Sequence, residues 1–252
     1  MLERVIAGIA EKKAELDRLR PLSPGALHNL EHAHDLELTY TSNAVEGNTL
    51  TQLETNLVVE HGITVGGKTL KEHLEAVDHF AALGYVRTLA ARGAALTEHD
   101  LRTLHALALK RADPDIAGAY ATSNRYVMTD RGSHAFPTPA EIPALMGDFG
   151  SWLRAAPATP DAAFAAHLRL VEIHPFNDGN GRTARLLMNL MLIRGGYPPI
   201  SVRPADRLAY LNAIQNAQAG GGDGDFMRLL HERLLATLDE YLRALAQALP
   251  SP

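Results

Sequence analysis

The sequence predicts an all-α fold, mainly helical, with one small β-hairpin. Apolar residues recur at spacings of three and four through most of the chain, between glycines and prolines, which is typical of amphipathic helices. Only the segment of about 118–139 combines aromatic and β-branched residues with turn residues, as hairpins do. A nearly uninterrupted apolar stretch from Leu186 to Ile193 predicts one helix that is buried on almost all sides.

Four helices are predicted in the N-terminal part of the chain. The first ends before Pro21, which cannot continue a helix. The second, about Ala26 to Glu46, has an apolar side at spacings of three and four. A third is expected over Thr49–His61 and a fourth from about Leu70 to Gly93, where glycine provides a C-terminal cap.

The second helix contains a pattern that is similar to an inverted zinc-protease motif. His28 and His32 are four residues apart and follow the spacing His-x-x-Glu-His with Glu31, so both rings could face one metal ion. No third ligand is evident, and such a short pattern arises often by chance in a histidine-rich helix. Solvated or partly packed histidines are therefore the preferred interpretation.

The pattern changes after a fifth helix, for which Thr97 is the expected N-cap. Tyr120 and the run Tyr126–Met128 are strand-like, a turn is expected at 130–133, and His134–Phe136 is the expected returning strand. Five further helices are then predicted. They cover Pro139 to about Leu153, Thr159-Pro160 to His174, the apolar stretch from Leu186, Asp206–Ala219 and Phe226–Leu249.

The twelve residues 174–185, His-Pro-Phe-Asn-Asp-Gly-Asn-Gly-Arg-Thr-Ala-Arg, join two of these helices. Gly179 and Gly181 allow the backbone to approach a ligand closely, and the first N–H groups of the following helix are free to bind an anion. Arg182 and Arg185 add positive charge on one side of that helix, which suits phosphate oxygens. The stretch therefore predicts a phosphate-binding loop.

Two other residues of this loop could take part in a reaction. Asp178 would repel phosphates unless Mg²⁺ lay between them, which is a common role of Asp in nucleotide sites. His174 is a candidate general base, because the unperturbed pKa of histidine is close to neutral pH. An ordinary surface turn would not need this combination of residues.

Two better-known loops fail to explain the stretch. Aligned as a calcium-binding EF-hand, the Asp-Gly-Asn-Gly sequence puts Phe176 and Leu187 at positions that require carboxylates. A P-loop requires Gly-Lys-Ser/Thr, and this stretch has no lysine.

Residues 174–185 match the signature His-Pro-Phe-x-Asp/Glu-Gly-Asn-Gly-Arg-x-x-Arg of the Fic family at every defined position. The resemblance implies a Fic fold and transfer of AMP from ATP to a hydroxyl side chain of a target protein. It implies that His174 deprotonates that hydroxyl and that Asp178 holds Mg²⁺. The related Doc branch, which phosphorylates, has Lys where Gly181 stands. The implied nucleotide-binding residues are Phe176, Asn177, Gly179, Asn180, Gly181, Arg182, Arg185, Tyr210 and Gln218. The last two rest on a looser match to the positions that contact adenine in the family. A core tyrosine and a surface glutamine would explain Tyr210 and Gln218 equally well.

The end of the second helix carries a further signal. Glu46 stands in its last turn, where the helix dipole disfavours a carboxylate, so a cationic partner is expected. Ser42 and Glu46 share one face of the helix. Residues 42–47 resemble the Fic inhibitory motif Ser/Thr-x-x-x-Glu-Gly/Asn, in which the Glu pairs with the second arginine of the catalytic motif. The resemblance implies an inhibitory helix over about 26–47 and the pair Glu46–Arg185.

In Fic proteins the hairpin is a flap that holds the target by main-chain pairing. The resemblance implies this role for about 118–139, with Val127, Met128 and His134 as flap residues. Ala121 departs from the family, since an Arg commonly follows Gly-x-Tyr there. Two alternatives to AMP transfer stay open: AMP removal, with Glu46 positioning a water, and a binding module that senses nucleotide.

Composition limits the other readings. The net charge of −5 does not favour nucleic acid or an anionic membrane, no apolar run is long enough to cross a bilayer, and the sequence has no cysteine. We therefore expect a cytoplasmic protein with no nucleic-acid or membrane partner. Its expected regions are N-terminal helices (1–95), a catalytic core (96–200) and C-terminal helices (201–252). A homodimer and self-modification are further expectations from the family.

Overall fold

The computed structural model describes residues 2–21, 24–129 and 132–248. Within them the chain forms ten α-helices, one short 3-10 helix (Pro204–Asp206) and a two-stranded sheet, which confirms the predicted helical fold with a single hairpin. The helices are α1 (Leu2–Arg18), α2 (Pro24–Val45), α3 (Gln52–His61), α4 (Leu70–Arg92), α5 (Glu98–Leu109), α6 (Ile142–Ala155), α7 (Pro160–Ile173), α8 (Asn180–Arg194), α9 (Arg207–Gln218) and α10 (Gly224–Ala248).

The central helix is α8, as the apolar stretch predicts. It packs against α4, α5 and α7, and its residues from Arg182 to Leu192 are all buried. Full burial of a Leu or Met side chain contributes about 1.5–3 kcal/mol, so this helix supplies much of the core. Its N-terminus points at the loop that leads in from α7. Among the described helices, none has the combined length and apolarity needed to cross a membrane.

The N-terminal helices bring Ser42 and Glu46 to the start of α8. Helix α2 packs against α3 and α4 and contacts α8. It ends at Val45, so Glu46 is the first residue beyond the helix, and Gly47 follows with a left-handed φ of 100°. Helix α1 packs along α10.

Helix α3 begins at Gln52, three residues later than predicted from Thr49. The reason is a capping box: the Thr51 hydroxyl accepts from the Glu54 N–H, and the Glu54 carboxylate accepts from the Thr51 N–H at 2.7 Å. Residue 51 is therefore the N-cap, outside the helix. The predicted N-cap Thr97 of α5 forms the same kind of box with Asp100.

The hairpin consists of β1 (Tyr126–Thr129) and β2 (Gly132–Ala135), paired antiparallel with Val127 opposite His134. The returning strand thus begins before the predicted His134. Of the predicted turn, Asp130 and Arg131 lie outside the described residues. Tyr120, also predicted to be strand-like, pairs instead with Phe176 in an isolated antiparallel bridge, and this bridge joins the base of the hairpin to the loop after α7.

The side chains of His28 and His32 contact other protein groups. The rings of His28 and His32 are stacked with centroids 6.1 Å apart, and His32 Nε2 is 2.8 Å from Glu60 Oε1. In the described part of the chain, no three His, Cys, Asp or Glu side chains are arranged to hold a metal ion.

Candidate active site

Residues 174–185 form a loop that runs from the end of α7 into the first turns of α8. His174 caps α7 in the left-handed conformation, with φ 50°, and its N–H donates to Leu170 O at 2.9 Å. A non-glycine residue in this conformation is uncommon and costs free energy, so the surrounding structure must hold it in place. Gly179, with φ 76°, is the N-cap residue of α8, just before its first residue.

The His174 side chain is oriented as a general base requires. Its Nδ1 lies 3.2 Å from Val171 O, and since a carbonyl only accepts, Nδ1 carries the proton and Nε2 is left as an acceptor. The ring of Phe136 stacks on it with centroids 3.8 Å apart. Burial lowers the pKa of His174 to about 4, so the imidazole is neutral at neutral pH and able to take a proton.

Arg125, just before β1, was not found from the sequence. Its guanidinium donates to His174 O at 2.6 Å and to Pro137 O, and it ties the two ends of the hairpin segment to the catalytic loop. Burial lowers the pKa of this arginine. The sequence shows only that an arginine stands between Gly118 and the first strand. Nothing in the residues around it indicates that its partners are backbone carbonyl groups.

Asn180 holds the loop in shape from inside. Its side chain accepts from Phe176 N at 2.9 Å and donates to Phe176 O at 2.8 Å, and it is buried. These two hydrogen bonds close the turn that leads into α8. Asn177 and Asp178, which precede Gly179, are exposed on its rim.

Arg182 is fixed between two carboxylates. Its Nη1 is 3.2 Å from Glu75 Oε1, and its Nη2 is 3.3 Å from Asp178 Oδ2. Glu75 in turn accepts from the Asn48 side chain at 3.0 Å. The Arg182 side chain is only 2% exposed, so its orientation is set by these partners and not by solvent.

Arg185 is bound to both residues of the predicted inhibitory motif. Its Nη2 is 2.7 Å from Glu46 Oε1, and its Nε and Nη2 donate to the hydroxyl and carbonyl oxygens of Ser42, each at 2.9 Å. Its pKa remains raised in spite of the burial, because the tyrosine hydroxyl of Tyr210 and the Glu46 carboxylate face it. The same carboxylate oxygen, Glu46 Oε1, lies beside Gly181, at the place a Cβ would occupy there.

Tyr210 and Gln218 lie on α9. The Tyr210 hydroxyl accepts from Arg185 Nη1 at 3.3 Å and is 2.7 Å from His167 Nε2, and the residue is only 1% exposed. The Tyr210 side chain therefore lies in the core, in contact with the Arg185 guanidinium. Gln218 donates to Val171 O at 3.4 Å and lines a cavity of about 810 Å³ between α9, α10 and His134 of β2.

The flap residues differ in exposure. Met128 is 70% exposed, Val127 is half-buried, and His134 packs edge-on against Phe136, 5.1 Å between ring centroids. His134 and Phe136 thus connect the hairpin to the ring of His174.

A magnesium ion fits the oxygen ligands of this loop. The Asp178 carboxylate is 51% exposed; its Oδ1 accepts from the Gly179 N–H at 2.6 Å and its Oδ2 is 3.3 Å from Arg182 Nη2. Mg²⁺ in nucleotide sites is commonly held by one or two carboxylates, with substrate phosphates and water completing the shell. One accessible carboxylate beside free amides therefore suits an ion that arrives with a nucleotide.

Comparison with known proteins agrees with this geometry. Residues 95–192 match the family model described as Fic/DOC family. The chain is 36% identical over 227 residues to the protein adenylyltransferase Fic of Aedes aegypti, which covers 88% of this chain and 44% of that protein. The chain thus spans about half the length of the curated relatives it matches.

Solved structures cover the whole fold. A Fic domain containing signaling protein from Bacteroides thetaiotaomicron superposes with a TM-score of 0.86 at 32% identity, over 94% of this chain and 96% of that one. A fragment of Fic-1 from C. elegans gives a TM-score of 0.84 at 27% identity, over 98% of this chain and 74% of that fragment. By sequence identity over nearly the full length of a solved relative, and by fold, the chain belongs to the Fic/DOC family.

Proposed function

We propose that the chain is a protein adenylyltransferase, moving AMP from ATP to a hydroxyl side chain of a protein target, and that Glu46 inhibits it. The observation that carries the proposal is the loop of residues 174–185: it combines an imidazole with a free acceptor nitrogen, helix N-terminal amides, one accessible carboxylate and two fixed guanidinium groups. The family relatives named protein adenylyltransferase support the same reaction.

The reaction would proceed by displacement at the α-phosphorus. His174 Nε2 takes the proton of the target hydroxyl, whose oxygen bonds to the α-phosphorus while the bond to the bridging oxygen of pyrophosphate breaks. AMP is then attached to the target, pyrophosphate leaves, and His174 returns its proton to solvent. General-base catalysis of this kind typically contributes roughly 10²–10⁴-fold.

Charge on the phosphates would be stabilised by groups that are already in place. The amides at the start of α8 and the guanidinium of Arg182 are held by Asn180, Glu75 and the helix itself. Preorganised donors of this kind usually make the largest contribution in phosphoryl and nucleotidyl transfer. Asp178 would hold Mg²⁺, which when bound neutralises phosphate charge.

Glu46 would inhibit by occupying the place of a phosphate. It engages Arg185 and reaches Gly181, so a negative group of ATP arriving there meets both a carboxylate and an arginine that is already paired. Ser42 supports this arrangement by fixing the Arg185 guanidinium from α2. Removing the Glu46 carboxylate should leave Arg185 oriented by Ser42 and Tyr210 and free to bind phosphate.

The remaining parts of the proposal concern partners. The cavity beside Gln218 and His134 is large enough for a nucleoside, and the hairpin offers its backbone for pairing with a target segment, with Val127 and Met128 beside it. Self-modification would show as label on the chain itself. The chain would also form a homodimer, and light scattering measures its molar mass in solution directly.

The test uses ATP labelled with ³²P at the α- or the γ-phosphate, with Mg²⁺ and a lysate as the source of targets. We expect label from the α position only, more in Glu46→Gly than in the wild type, and none in Glu46→Gly/His174→Ala. Label from the γ position would indicate a kinase. Glu46→Gln is the matched control, since it keeps the size of the side chain and removes only the charge.

AMP removal is the second candidate, and one observation favours it. The Glu46 side chain is 38% exposed and reaches the phosphate-binding amides, so it places a carboxylate where a water could be activated. A pre-modified target incubated with wild type and with Glu46→Gly separates the two functions. Loss of AMP only when Glu46 is present would establish removal.

A further inference from the structure

A buried histidine outside the signature, His105 of α5, contacts the candidate site at two points. The Gly118 N–H donates to its Nδ1 at 2.8 Å, and its Nε2 lies 2.9 Å from the carbonyl oxygen of Asp178. Because Nδ1 accepts a hydrogen bond, the proton of the neutral ring is on Nε2, which donates to Asp178. One tautomer thus satisfies both backbone groups, and the side chain is fully buried.

Packing around the ring leaves little freedom. His105 stacks face to face on Phe176 with centroids 3.7 Å apart and ring planes 6° from parallel. A Cβ on Gly179 would lie 3.2 Å from His105 Nε2, and a Cβ on Gly118 would lie 3.0 Å from the Cβ of Ala106. Both glycines therefore allow their segments to approach α5 closely at this point.

The two segments that meet at His105 belong to different parts of the site. Gly118 leads through Tyr120, which bridges to Phe176, into the hairpin. Asp178 carries the accessible carboxylate on the rim of the loop. Arg182 and the Gly179 N–H hold the Asp178 carboxylate, and His105 holds the Asp178 carbonyl oxygen from the opposite element, α5.

We propose that His105 is a positioning residue that holds the Asp178 carboxylate and the base of the hairpin at a fixed separation. The proposal rests on the proposed AMP transfer. His105 touches neither substrate nor reacting atoms; it acts through the backbone of Asp178 and of Gly118. A displacement of about 1 Å in such a site can cost roughly 100-fold in rate.

Three substitutions separate the two hydrogen bonds. In the Glu46→Gly background, His105→Phe keeps the stack on Phe176 and loses both bonds. His105→Gln places an amide nitrogen where Nε2 lies and keeps the donor to Asp178, whereas His105→Asn places a carbonyl where Nδ1 lies and keeps the acceptor for Gly118. We expect His105→Phe to lower kcat roughly 10- to 100-fold with a smaller change in the KM for ATP.

His105→Gln and His105→Asn should show which of the two hydrogen bonds accounts for the loss of kcat in His105→Phe. We expect His105→Gln to recover most of kcat together with the parent's dependence on Mg²⁺ concentration, because Asp178 stays in place. His105→Asn should need more Mg²⁺ for half-maximal rate. The matched control is His73→Phe: His73 is also buried and bridges two backbone groups, accepting from Val65 N at 2.8 Å and facing Thr69 O at 2.7 Å. It should lower the unfolding temperature similarly but leave kcat unchanged.

Hydrogen exchange gives a readout that needs no turnover. His105→Phe should speed amide exchange in peptides covering 118–121 and 176–182 and leave α10 unchanged, so this arm decides the proposal even if the parent transfers no AMP. A parent without transfer would contradict only the proposed function. Unchanged exchange in both peptides, a kcat of His105→Phe equal to the parent's, or an equal loss in His73→Phe would overturn the role of His105.

Discussion

The catalytic loop and the hairpin are neighbours with opposite physical character. In the loop, Asn180 and Arg182 are 2% exposed: Asn180 makes two hydrogen bonds to Phe176, and Arg182 pairs with Glu75 and Asp178. In the hairpin, Tyr126 and Met128 are each 70% exposed on strands of four residues. Buried side chains held by hydrogen bonds and ion pairs can keep charges in place for chemistry, whereas an exposed pair of short strands leaves its surface for a partner. For the proposed function, this difference predicts that substitutions in the hairpin can change target recognition without changing the chemical step.

The largest effect on transfer is expected when the proposed general base, His174, is removed from the loop. In the Glu46→Gly background, His174→Ala should reduce transfer of α-label by roughly 10²–10⁴-fold, because nothing else in the loop offers a free acceptor nitrogen at that place. Binding of ATP, measured by calorimetry, should change little. Full residual transfer in this variant would assign the proton abstraction to another group.

A pair of glycine substitutions compares the packing of the two regions. Gly179 and Gly132 both have a positive φ, but a Cβ on Gly179 would collide with Leu109, whereas one on Gly132 meets no atom within 4 Å. Gly179→Ala should therefore lower the free energy of unfolding by roughly 3 kcal/mol and Gly132→Ala by roughly 1 kcal/mol. Urea denaturation measures both, and equal losses would mean that the loop can relax as easily as the hairpin.

The pH dependence of stability should come from the interior around the loop. Burial lowers the pKa of His79 and of His167 to about 3, below the ordinary value of 6.5, so the unfolded chain takes up protons at these sites before the folded protein does. Their contribution to stability is complete above pH 6.5 and declines below it, by about 1 kcal/mol for each histidine at pH 5.5. Thermal unfolding from pH 7 to 5 tests this. His99→Gln, at an exposed position, should leave the curve unchanged, and His79→Gln should flatten it.

The lowered pKa of a buried histidine should also shape the pH dependence of kcat. Since His174 must be neutral to accept a proton and burial lowers its pKa to about 4, kcat should stay level as the pH falls from 8 toward 5. It should decline only below that range. A decline centred near 6.5 would show that the ring is exposed to water during turnover.

The smallest expected effect lies in the hairpin. Tyr126→Ala removes an exposed ring, so the free energy of unfolding should change by less than about 0.5 kcal/mol. Modification of the chain itself, if it occurs away from the hairpin, should be unaffected, while the KM for an external target should rise. Steady-state assays against one purified target would show whether this face takes part in recognition.

Much of the fold could be predicted because its signals are local. The apolar stretch after Arg185 predicts a buried helix, and that helix is the centre of the structure. Thr97 and Thr159 mark helix starts through side-chain bonds to amides only three residues away. The start of α3 was missed because Thr49 and Thr51 are both acceptable N-caps, and Glu54 decides between them.

By itself, the sequence determined the family, and it predicts a catalytic role for residues 174–185 and the pairing of Glu46 with Arg185. Each of these motifs is contiguous in the chain, so its residue types indicate its chemistry. The tertiary structure alone decided that Arg125, Glu75 and His105 support the loop, and that Tyr210 lies beneath Arg185. Each of these contacts joins residues at least 25 positions apart in the chain. All four contacts end on a backbone carbonyl or on a buried guanidinium, and the sequence around Arg125, Glu75 and His105 carries no pattern that indicates such a partner. Only the packing of α4, α5, α9 and the hairpin around α8 brings these residues together.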